Sequence, residues 1–229
     1  YEKYRVRRYG FHGTSHFYVS HRAAEMMGKP FEECKIITLH LGNGASMAAV
    51  KGGKVVDTTM GFTPLEGLVM GTRSGDIDPA IVFFLMEKLG LGTTEANNYF
   101  NKKAGMLGLS GVSNDLRDIL EAAASGNERA QTALDVYYNR VKGYIGNYMA
   151  KLNGCDCLVF TAGVGENAID IRENICKDLD YLGVKMDVEK NKVRGKEVDV
   201  AAADSKVKIF VIPTNEELVI ARDTYRLSK

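Results

Sequence analysis

The sequence predicts an α/β fold with a mixed five-stranded sheet and helices on both of its faces. Three strand-like segments separated by glycine turns, at 36–41, 45–50 and 54–59, predict an antiparallel meander. Two later buried-strand patterns, at 157–161 and 208–212, are each followed by a helical pattern. Strands that alternate with helices favour parallel pairing, so the two halves of the chain together predict a mixed sheet.

The composition is that of a globular protein. Of the 229 residues, 45% are hydrophobic and 26% are charged, which is enough chain for a packed core. A formal net charge of +1 argues against a partner that binds through many phosphates, such as a nucleic acid. No apolar run approaches the roughly 20 residues that a spanning helix needs, so we expect no membrane partner. Four scattered cysteines indicate reduced thiols in a cytoplasmic protein.

The turn at residues 42–44 is a candidate anion site. Gly42 and Gly44 have no Cβ, so a ligand can approach the backbone N–H groups closely, and consecutive amides in a tight turn form an anion-binding concavity. Asn43-Gly44 is also the strongest short signal for a β-hairpin, because both residues tolerate positive φ. A plain hairpin and a phosphate site therefore both remain open on this evidence.

Two histidines stand at the start of the first predicted helix. Thr14 or Ser15 is expected to cap this helix. His12 and His16 are four positions apart, which is a spacing that metal-binding helices use. Gly13 makes it doubtful that both side chains share one helical face, so we favour a capping or substrate-contacting turn over a zinc site.

A long glycine-rich passage at 61–79 presents Arg73 between glycines. Loops of this length without periodicity are usually functional or disordered. The guanidinium could bind an anionic substrate through two parallel N–H groups. The alternative is a solvated arginine paired with Asp76 or Asp78. A helix is predicted to begin at Asp78-Pro79.

The middle of the chain predicts helices at 93–103, 112–124 and 127–152, with a flexible passage at 106–113. In the last helix, tyrosine and aliphatic residues recur every three or four positions. Such a stripe is typical of a core. Because this helix is apolar over a wide arc, the stripe could equally form a subunit interface.

The strand at 157–161 leads into a glycine turn at 162–168, and a helix that contains Ile169, Ile171 and Ile175 follows the turn. That arrangement favours nucleotide phosphates, because free N–H groups and the helix dipole meet there. With Ala168 the same residues satisfy the dinucleotide fingerprint, and Asp187 lies at a suitable distance for a ribose hydroxyl, so an NAD-dependent oxidoreductase is an alternative. Against it, segment 184–190 is too charged for the next central strand, which we expect only at 208–212.

Glu216 stands where the last strand ends and the final helix, which runs to Leu227, begins. Ligand groups are common at this position in α/β folds. The alternative role is that of a first-turn acid that stabilises its own helix.

The order of these elements resembles the ribonuclease-H-like half-domain of the actin, sugar-kinase and heat-shock ATPase superfamily. Four motifs, RYGFHGTSH at 8–16, HLGNG at 40–44, GTRSGD at 71–76 and GVGEN at 163–167, resemble the signature motifs of the acetate kinase family. This resemblance implies that residues 1–229 are the C-terminal nucleotide-binding domain of a two-domain acyl kinase. It comprises a lead-in segment and helix at 1–30 and a helical insertion at 90–155. The motifs of the family's N-terminal domain have no counterpart here, so we expect an absent N-terminal domain and a chain that is inactive alone.

The resemblance also implies an activity, the reversible transfer of the ATP γ-phosphoryl group to acetate, which gives acetyl phosphate and ADP. The alternative acceptor is propionate or another short-chain acid. Phosphoryl transfer depends on positioning and charge neutralisation, for which glycine turns, an arginine and a metal are suited. The resemblance further implies a homodimer formed through this domain.

The resemblance assigns a role to each motif. The catalytic residues would be His12 and Arg73, with Arg73 also near the substrate carboxylate. Phe11 and Pro64 would form the wall that accepts the acyl methyl group. Glu216 would support Mg²⁺ or Mn²⁺. The residues in contact with ATP or ADP would be His40, Leu41, Gly42, Asn43, Gly44, Asp115, Leu116, Arg117, Gly163, Val164, Gly165, Glu166 and Asn167.

Overall fold

The computed structural model describes every residue from Tyr1 to Lys229 and contains one mixed sheet of six strands, in the order β3-β2-β1-β4-β6-β5. The central strand β4 is parallel to both β1 and β6, whereas β3 and β5 run antiparallel to their neighbours. The strands are β1 (Lys35–Leu41), β2 (Ala45–Lys51), β3 (Lys54–Thr58), β4 (Cys157–Thr161), β5 (Val198–Asp199) and β6 (Lys208–Val211).

Nine α-helices connect and cover these strands. They are α1 (Gly13–Met27), α2 (Ala80–Leu89), α3 (Thr93–Lys102), α4 (Gly105–Ser110), α5 (Leu116–Ala124), α6 (Glu128–Leu152), α7 (Ala162–Asn167), α8 (Ile169–Cys176) and α9 (Glu216–Leu227). None of them is both long and apolar enough to cross a membrane.

The chain divides into two compact units. Unit 1 comprises Tyr1–Gly10, Gly42–Ala45 and Thr59–Val141, and unit 2 comprises Phe11–Leu41, Ser46–Thr58 and Lys142–Lys229. Unit 2 contains the sheet, apart from one residue of β2. Unit 1 contains helices α2 to α5 and the first part of α6.

The core of unit 2 lies around the parallel strands. Every residue of β4 is buried, as are all but the first residues of β1 and β6. One buried cluster joins α1 to these strands, and it contains Val19, Ala23, Ala24, Cys34, Ile36, Val50, Cys157, Val159, Phe210 and Ile212. Strands that are apolar on both faces require cover on both faces, as the continuous hydrophobic patterns indicated.

The α/β class is confirmed, but the predicted number of five strands is wrong. The sixth strand, β5, has two residues and pairs only with β6 at the edge of the sheet. A two-residue strand is too short to show the period of two from which strands are recognised. The predicted parallel strand at 208–212 is present as β6, beside β4.

Two helices of unit 1 differ from the prediction. The passage predicted to be flexible contains α4, which begins at Gly105 with φ +60, where a Cβ would lie 2.2 Å from the Met70 carbonyl oxygen. The next helix, α5, begins at Leu116 rather than at 112. The Asp115 carboxylate caps it by accepting the Arg117 N–H at 2.9 Å.

The apolar stripe of α6 is core. The suggestion that it forms a subunit interface is not supported, because its aromatic and aliphatic side chains are already covered by the chain itself. Its buried residues are Ala130, Ala133, Leu134, Tyr137, Tyr138, Val141, Ile145, Tyr148, Met149 and Leu152. The helix that does expose apolar side chains is α2, which has no buried residue.

Candidate functional site

Three histidines of unit 2 form a compact cluster. The rings of His12 and His40 are stacked, with centroids 4.0 Å apart and an interplanar angle of 15°. The His16 ring meets both edge-on. Burial lowers the pKa of His40 to about 4, and the nearby His12 acts in the same direction. Burial, followed by the charges of His40 and His12, lowers the pKa of His16 to about 3. Both rings are therefore neutral at pH 7.

His12 occupies the N-cap position of α1 with φ 58, in the left-handed region. The prediction that Thr14 or Ser15 caps this helix is wrong, because no side chain caps it. The Ser15 hydroxyl instead lies 2.8 Å from Nδ1 of His40. A non-glycine residue with positive φ is uncommon, and such residues concentrate at functional sites. The backbone therefore directs the His12 ring to its position beside His40.

The spacing of His12 and His16 does not create a helical metal site. His12 precedes the helix, and the two ring centroids are 6.4 Å apart. Across the chain, no group of three or more His, Cys, Asp or Glu side chains is arranged to hold a metal ion.

The turn at 42–44 is held by two other segments of unit 1. The Gly71 N–H donates to the Asn43 carbonyl at 2.9 Å, and the Asn114 side-chain amide donates to Asn43 Oδ1 at 3.1 Å. A Cβ at Gly71 would lie 1.9 Å from Asn43 Oδ1, so only glycine permits this approach. The expected positive φ is absent from all three turn residues, and Gly42 N–H donates to the Gly44 carbonyl at 3.2 Å instead.

Arg73 is a half-buried cation of unit 1. Its Nη1 donates to the Pro64 carbonyl at 2.7 Å, and its guanidinium has no carboxylate partner. Asp76 pairs with Arg140 at 3.2 Å, while Asp78 accepts the first N–H of α2. Partial burial lowers the pKa of Arg73, although an arginine remains charged at neutral pH. The interpretation as a solvated loop arginine paired with Asp76 or Asp78 is therefore wrong.

Residues 115–117 form the start of α5 in unit 1. The Arg117 guanidinium is paired with the Asp115 carboxylate at 2.6 Å, and its hydrogen bonds lower the pKa of that carboxyl. Leu116 is buried. The Arg117 side chain is 88% exposed, so a nucleotide could reach it from solvent. The nucleotide contacts of these three residues stay predictions.

The segment 163–167 in unit 2 is not a glycine turn but the short helix α7. The chain reverses at Ala162, which has φ 64 in the left-handed region. A Cβ at Gly165 would lie 3.3 Å from the backbone of β4 and 3.5 Å from that of β1, so the helix rests closely on both strands. The Glu166 carboxylate accepts the N–H of Thr214, just after β6, at 3.1 Å. The helix α7 is thus attached to the carboxyl ends of the parallel strands, where α/β folds bind ligands.

A fully buried arginine in α8 holds α7 through a hydrogen bond to its backbone. Arg172 in α8 donates from Nη1 to the Gly165 carbonyl at 3.0 Å and from Nε to Asn191 Oδ1 at 2.7 Å. Its Nη2 donates to the carbonyls of Asn191 and Val193 at 2.8 and 2.9 Å. Burial lowers the pKa of Arg172 to about 10, so the side chain stays charged at pH 7. A buried cation satisfied only by neutral acceptors joins α8, α7 and the loop at 191–193.

Glu216 is the first residue of α9, and its partly buried carboxylate has no ion-pair or hydrogen-bond partner. The helix is capped by Asn215, which accepts the Leu218 N–H at 3.0 Å, so capping does not require Glu216. A single carboxylate fits Mg²⁺ or Mn²⁺ when substrate phosphates and waters complete the coordination shell, since Mg²⁺ is usually held by one or two carboxylates.

The remaining predicted residues divide between the units. Phe11 begins unit 2 with 36% of its surface exposed, and Leu41 ends β1 as a buried residue. Pro64 contacts Arg73 in unit 1. Unit 2 therefore carries Phe11, His12, His40, Leu41, residues 163–167 and Glu216, whereas unit 1 carries residues 42–44, Pro64, Arg73 and residues 115–117.

Several supporting residues were not predicted from the sequence. Ser46 and Asn114 are hydrogen-bonded to the predicted site residues His12 and Asn43, and Thr38 is hydrogen-bonded to His16. Arg172 had a weak signal, because it is the one basic residue of the helix after 168, where it stands between Ile171 and Glu173. Ser46 also had only a weak one, a hydroxyl among small apolar residues of a strand.

Comparison with known proteins gives consistent matches. Residues 1–222 match the model of the Acetokinase family. The acetate kinase of Syntrophomonas wolfei is 87% identical over all 229 residues, which correspond to 58% of its length. The chain spans less than two thirds of the length of this curated relative.

Comparison with solved structures also gives acetate and propionate kinases as matches. The chain superimposes on Porphyromonas gingivalis acetate kinase with a TM-score of 0.95 and 52% identity, covering 98% of this chain and 56% of that one. A propionate kinase from Francisella tularensis gives a TM-score of 0.89 and 46% identity, covering 96% of this chain and 56% of the other.

The sheet order and these superpositions define the class of fold, that of the actin-like ATPases. Within that class, the match to the family model over residues 1–222 and the shared motifs identify the family. The chain belongs to the acetokinase family.

Proposed function

We propose that the protein containing this chain transfers the γ-phosphoryl group of ATP to acetate, reversibly. An acetate oxygen attacks the γ-phosphorus, the bond from that phosphorus to the bridging oxygen of ADP breaks, and acetyl phosphate and ADP leave. Membership of the acetokinase family and the arrangement around Arg73 support this proposal.

The observation that carries the proposal is the state of Arg73. Its guanidinium is half-buried, donates to Pro64 at 2.7 Å and has no carboxylate partner within the chain. A cation kept out of ion pairs beside an apolar residue suits a small carboxylate, whose charge would meet the guanidinium and whose methyl group would meet Pro64. Phe11 is proposed as a second part of the methyl-binding wall.

We assign the nucleotide phosphates to the turn from His40 to Gly44 and to α7, and the adenosine to residues 115–117. Backbone N–H groups and a helix N-terminus can neutralise phosphate charge without moving during the reaction. His12 is assigned to the phosphoryl group in flight, together with Arg73.

We propose that Glu216 holds a divalent cation, Mg²⁺ or Mn²⁺, jointly with the nucleotide. When bound, such an ion neutralises phosphate charge that protein donors alone would have to balance. The chain itself contributes the carboxylate, held at the start of α9 by the Asn215 cap.

A second acceptor, propionate or another short-chain acid, is favoured by one observation, the close structural match to a propionate kinase.

We do not propose the oxidoreductase alternative, because the chain belongs to the acetokinase family and the Asp187 carboxylate is used locally, accepting the N–H groups of Glu189 and Lys190.

We further propose a cytoplasmic homodimer. The four cysteines are free thiols, as a reducing compartment requires. The exposed apolar residues of α2, namely Ile81, Phe83, Phe84 and Leu89, are a better candidate for the dimer contact than the buried stripe of α6. Phe83→Glu should halve the mass measured in solution if α2 forms the contact.

The test is an assay of the natural chain that carries this sequence, with Mg²⁺, ATP and either acetate or propionate. We expect ADP and an acyl phosphate that hydroxylamine traps, formed in equal amounts. ADP formation that does not depend on either acid would contradict the proposal, and the ratio of kcat/KM for the two acids decides the acceptor.

A further inference from the structure

A continuous chain of hydrogen-bonded groups runs from His12 into the sheet of unit 2. His12 Nδ1 lies 2.9 Å from Ser46 Oγ, and Ser46 Oγ lies 2.7 Å from His16 Nε2. His16 Nδ1 lies 2.7 Å from Thr38 Oγ1, which in turn lies 3.4 Å from the Ala48 carbonyl oxygen. Ser46 and Thr38 are fully buried and His16 is 4% exposed. These groups therefore cannot exchange their partners for bulk water.

The inner end of the chain sets the direction of every hydrogen bond. The Ala48 carbonyl can only accept, so Thr38 donates to it and accepts the Nδ1–H of His16. A neutral imidazole has one N–H, which leaves a lone pair on His16 Nε2 to accept the Ser46 hydroxyl hydrogen. Ser46 Oγ then accepts the Nδ1–H of His12.

We infer that Ser46, His16 and Thr38 are positioning residues that fix the tautomer of His12, with the proton on Nδ1. In consequence, Nε2 carries a proton only when the ring becomes an imidazolium. This inference rests on the proposed function, in which His12 stabilises the transferring phosphoryl group, and it identifies the groups that orient that ring.

Only this direction of the chain suits a charged His12. An imidazolium has N–H groups at both nitrogens, so its Nδ1 must donate to Ser46. In the opposite direction Ser46 would donate to Nδ1, and protonation of His12 would require every bond in the buried chain to reverse. With the direction set by Ala48, the ring can gain a proton at Nε2 while its inner hydrogen bonds stay as they are, and a charged N–H is the stronger donor to an anionic oxygen.

The burial of His16 protects this arrangement. Desolvation lowers the pKa of His16 to about 3, so the ring stays neutral and keeps an accepting Nε2. A His16 that took a proton would donate from both nitrogens and force Ser46 to donate elsewhere. The positioning chain therefore depends on a histidine that does not titrate near neutral pH.

The first test measures tautomers directly by ¹⁵N NMR of the natural chain with labelled histidine. His21 supplies an internal reference, because its Nδ1 lies 2.8 Å from the Phe17 carbonyl and must carry a proton to bond to it. We expect neutral His12 and His16 to show the same Nδ1–H pattern as His21. A proton on Nε2 of neutral His12 in the unmodified protein would overturn the inference.

The second test removes the hydroxyl at the inner end of the chain, three hydrogen bonds away from His12. Thr38→Val keeps the side-chain shape and deletes the hydroxyl, whereas Thr38→Ser keeps the hydroxyl. For metal-bound histidines, loss of the outer hydrogen-bond partner typically costs about 10- to 100-fold in activity. By analogy, we expect kcat of Thr38→Val to fall about tenfold, with little change in KM for ATP. Thr38→Ser should restore most of the rate, and the His12 spectrum should lose its single tautomer only in Thr38→Val.

Thr58→Val is the matched control, since it also deletes a hydroxyl that donates to a sheet carbonyl, that of Met47 at 2.9 Å, but from β3 rather than from the chain of groups that begins at His12. Equal rates in Thr38→Val and Thr58→Val would overturn the positioning role. If the unmodified protein shows no acid-dependent turnover, the proposed function fails, while the tautomer spectra still decide the inference.

Discussion

At the scale of single residues, Arg73 carries the clearest kinetic expectation. Its guanidinium is half-buried and lacks a carboxylate partner, so its removal should affect the reacting groups more than the fold. We expect Arg73→Ala to lower kcat by about a hundredfold or more, because one lost transition-state donor typically costs that much. KM for ATP should change far less.

Arg129→Ala is the matched control for this measurement, because Arg129 is also an arginine of unit 1 whose guanidinium donates to backbone carbonyls, those of Leu109 and Gly108. Near-normal turnover in Arg73→Ala, or equal losses in both variants, would remove Arg73 from the site. His12→Ala should lower kcat in the same way but less strongly.

The buried histidines predict acid sensitivity of the fold. Burial depresses the folded pKa of His16 to about 3 and of His40 to about 4, below the value of about 6.5 in an unfolded chain. The unfolded state therefore binds more protons in acid, so stability is fully present above pH 6.5 and is lost as the pH falls toward the folded pKa values. One such histidine lowers the free energy of unfolding by about 1.4 kcal/mol at pH 5.5.

The measurement is urea unfolding of the unmodified protein and of His16→Gln at pH 7.5 and 5.5. His16→Gln should be less stable than the unmodified protein at both pH values. Between pH 7.5 and pH 5.5, however, its free energy of unfolding should fall by about 1.4 kcal/mol less than that of the unmodified protein. An identical pH dependence in the two proteins would show that His16 titrates normally in the folded state.

The role of a residue could be predicted from the sequence when the residue stands in a recognisable motif. It could not be predicted when the role depends on a contact between segments that are distant along the chain. His12 and Arg73 stand in short motifs between glycines, so the sequence alone indicated them. Nothing local joins His12 to Ser46 or His16 to Thr38, since these partners become neighbours only when α1 packs on β1 and β2. The absence of an ion pair at Arg73 likewise depends on Arg140, which lies 67 positions away.

At the scale of elements, Arg172 determines how α7 is held. We expect Arg172→Met to lower the free energy of unfolding, since each buried acceptor left unsatisfied costs about 1–3 kcal/mol. Because Gly165 in α7 loses its donor, KM for ATP should rise more than KM for acetate. Arg129→Met is the control, because that arginine donates to two backbone carbonyls from an exposed position, whereas Arg172 donates to three. Equal changes in both KM values would contradict a specific role for α7.

Helices and strands could be predicted when their own residues show a hydrophobic pattern or a clear start and end. The five predicted strands agree with the structure to within one residue at each end, because a glycine, a proline or a charged residue stands within two positions of each strand end. Helix α4 was missed because its start requires Gly105 to pack under the Met70 carbonyl, which is a tertiary contact. Similarly, α7 follows from the left-handed backbone of Ala162, and alanine gives no sign of that conformation.

At the scale of the whole molecule, the chain spans 58% of the length of a curated relative. We expect a polypeptide of these 229 residues alone to fold, because unit 2 has a complete sheet and core. It should bind ADP weakly and form no acyl phosphate, since in-line orientation of two substrates accounts for roughly 7–11 kcal/mol of barrier lowering and needs both walls of a cleft. Calorimetry with ADP measures the binding, and a coupled assay with ATP and acetate measures the turnover. A turnover of roughly 1–100 per second, which is typical of kinases, would contradict the prediction that the 229 residues alone are inactive.

The parallel pairing of β1 and β4 has a consequence for the time that folding takes. Ile36 pairs with Cys157, so the centre of the sheet joins two segments that the whole of α2 to α6 separates along the chain. Contacts between distant segments slow folding, because the entropy of closing the loop is lost before the contact forms. The local β2 and β3 pair, and α6, can form early, whereas β4 has no partner until the chain has reached back to β1. On a ribosome, the sheet centre must wait until residue 161 has emerged, and the exposed edge of β1 is vulnerable to aggregation during that interval.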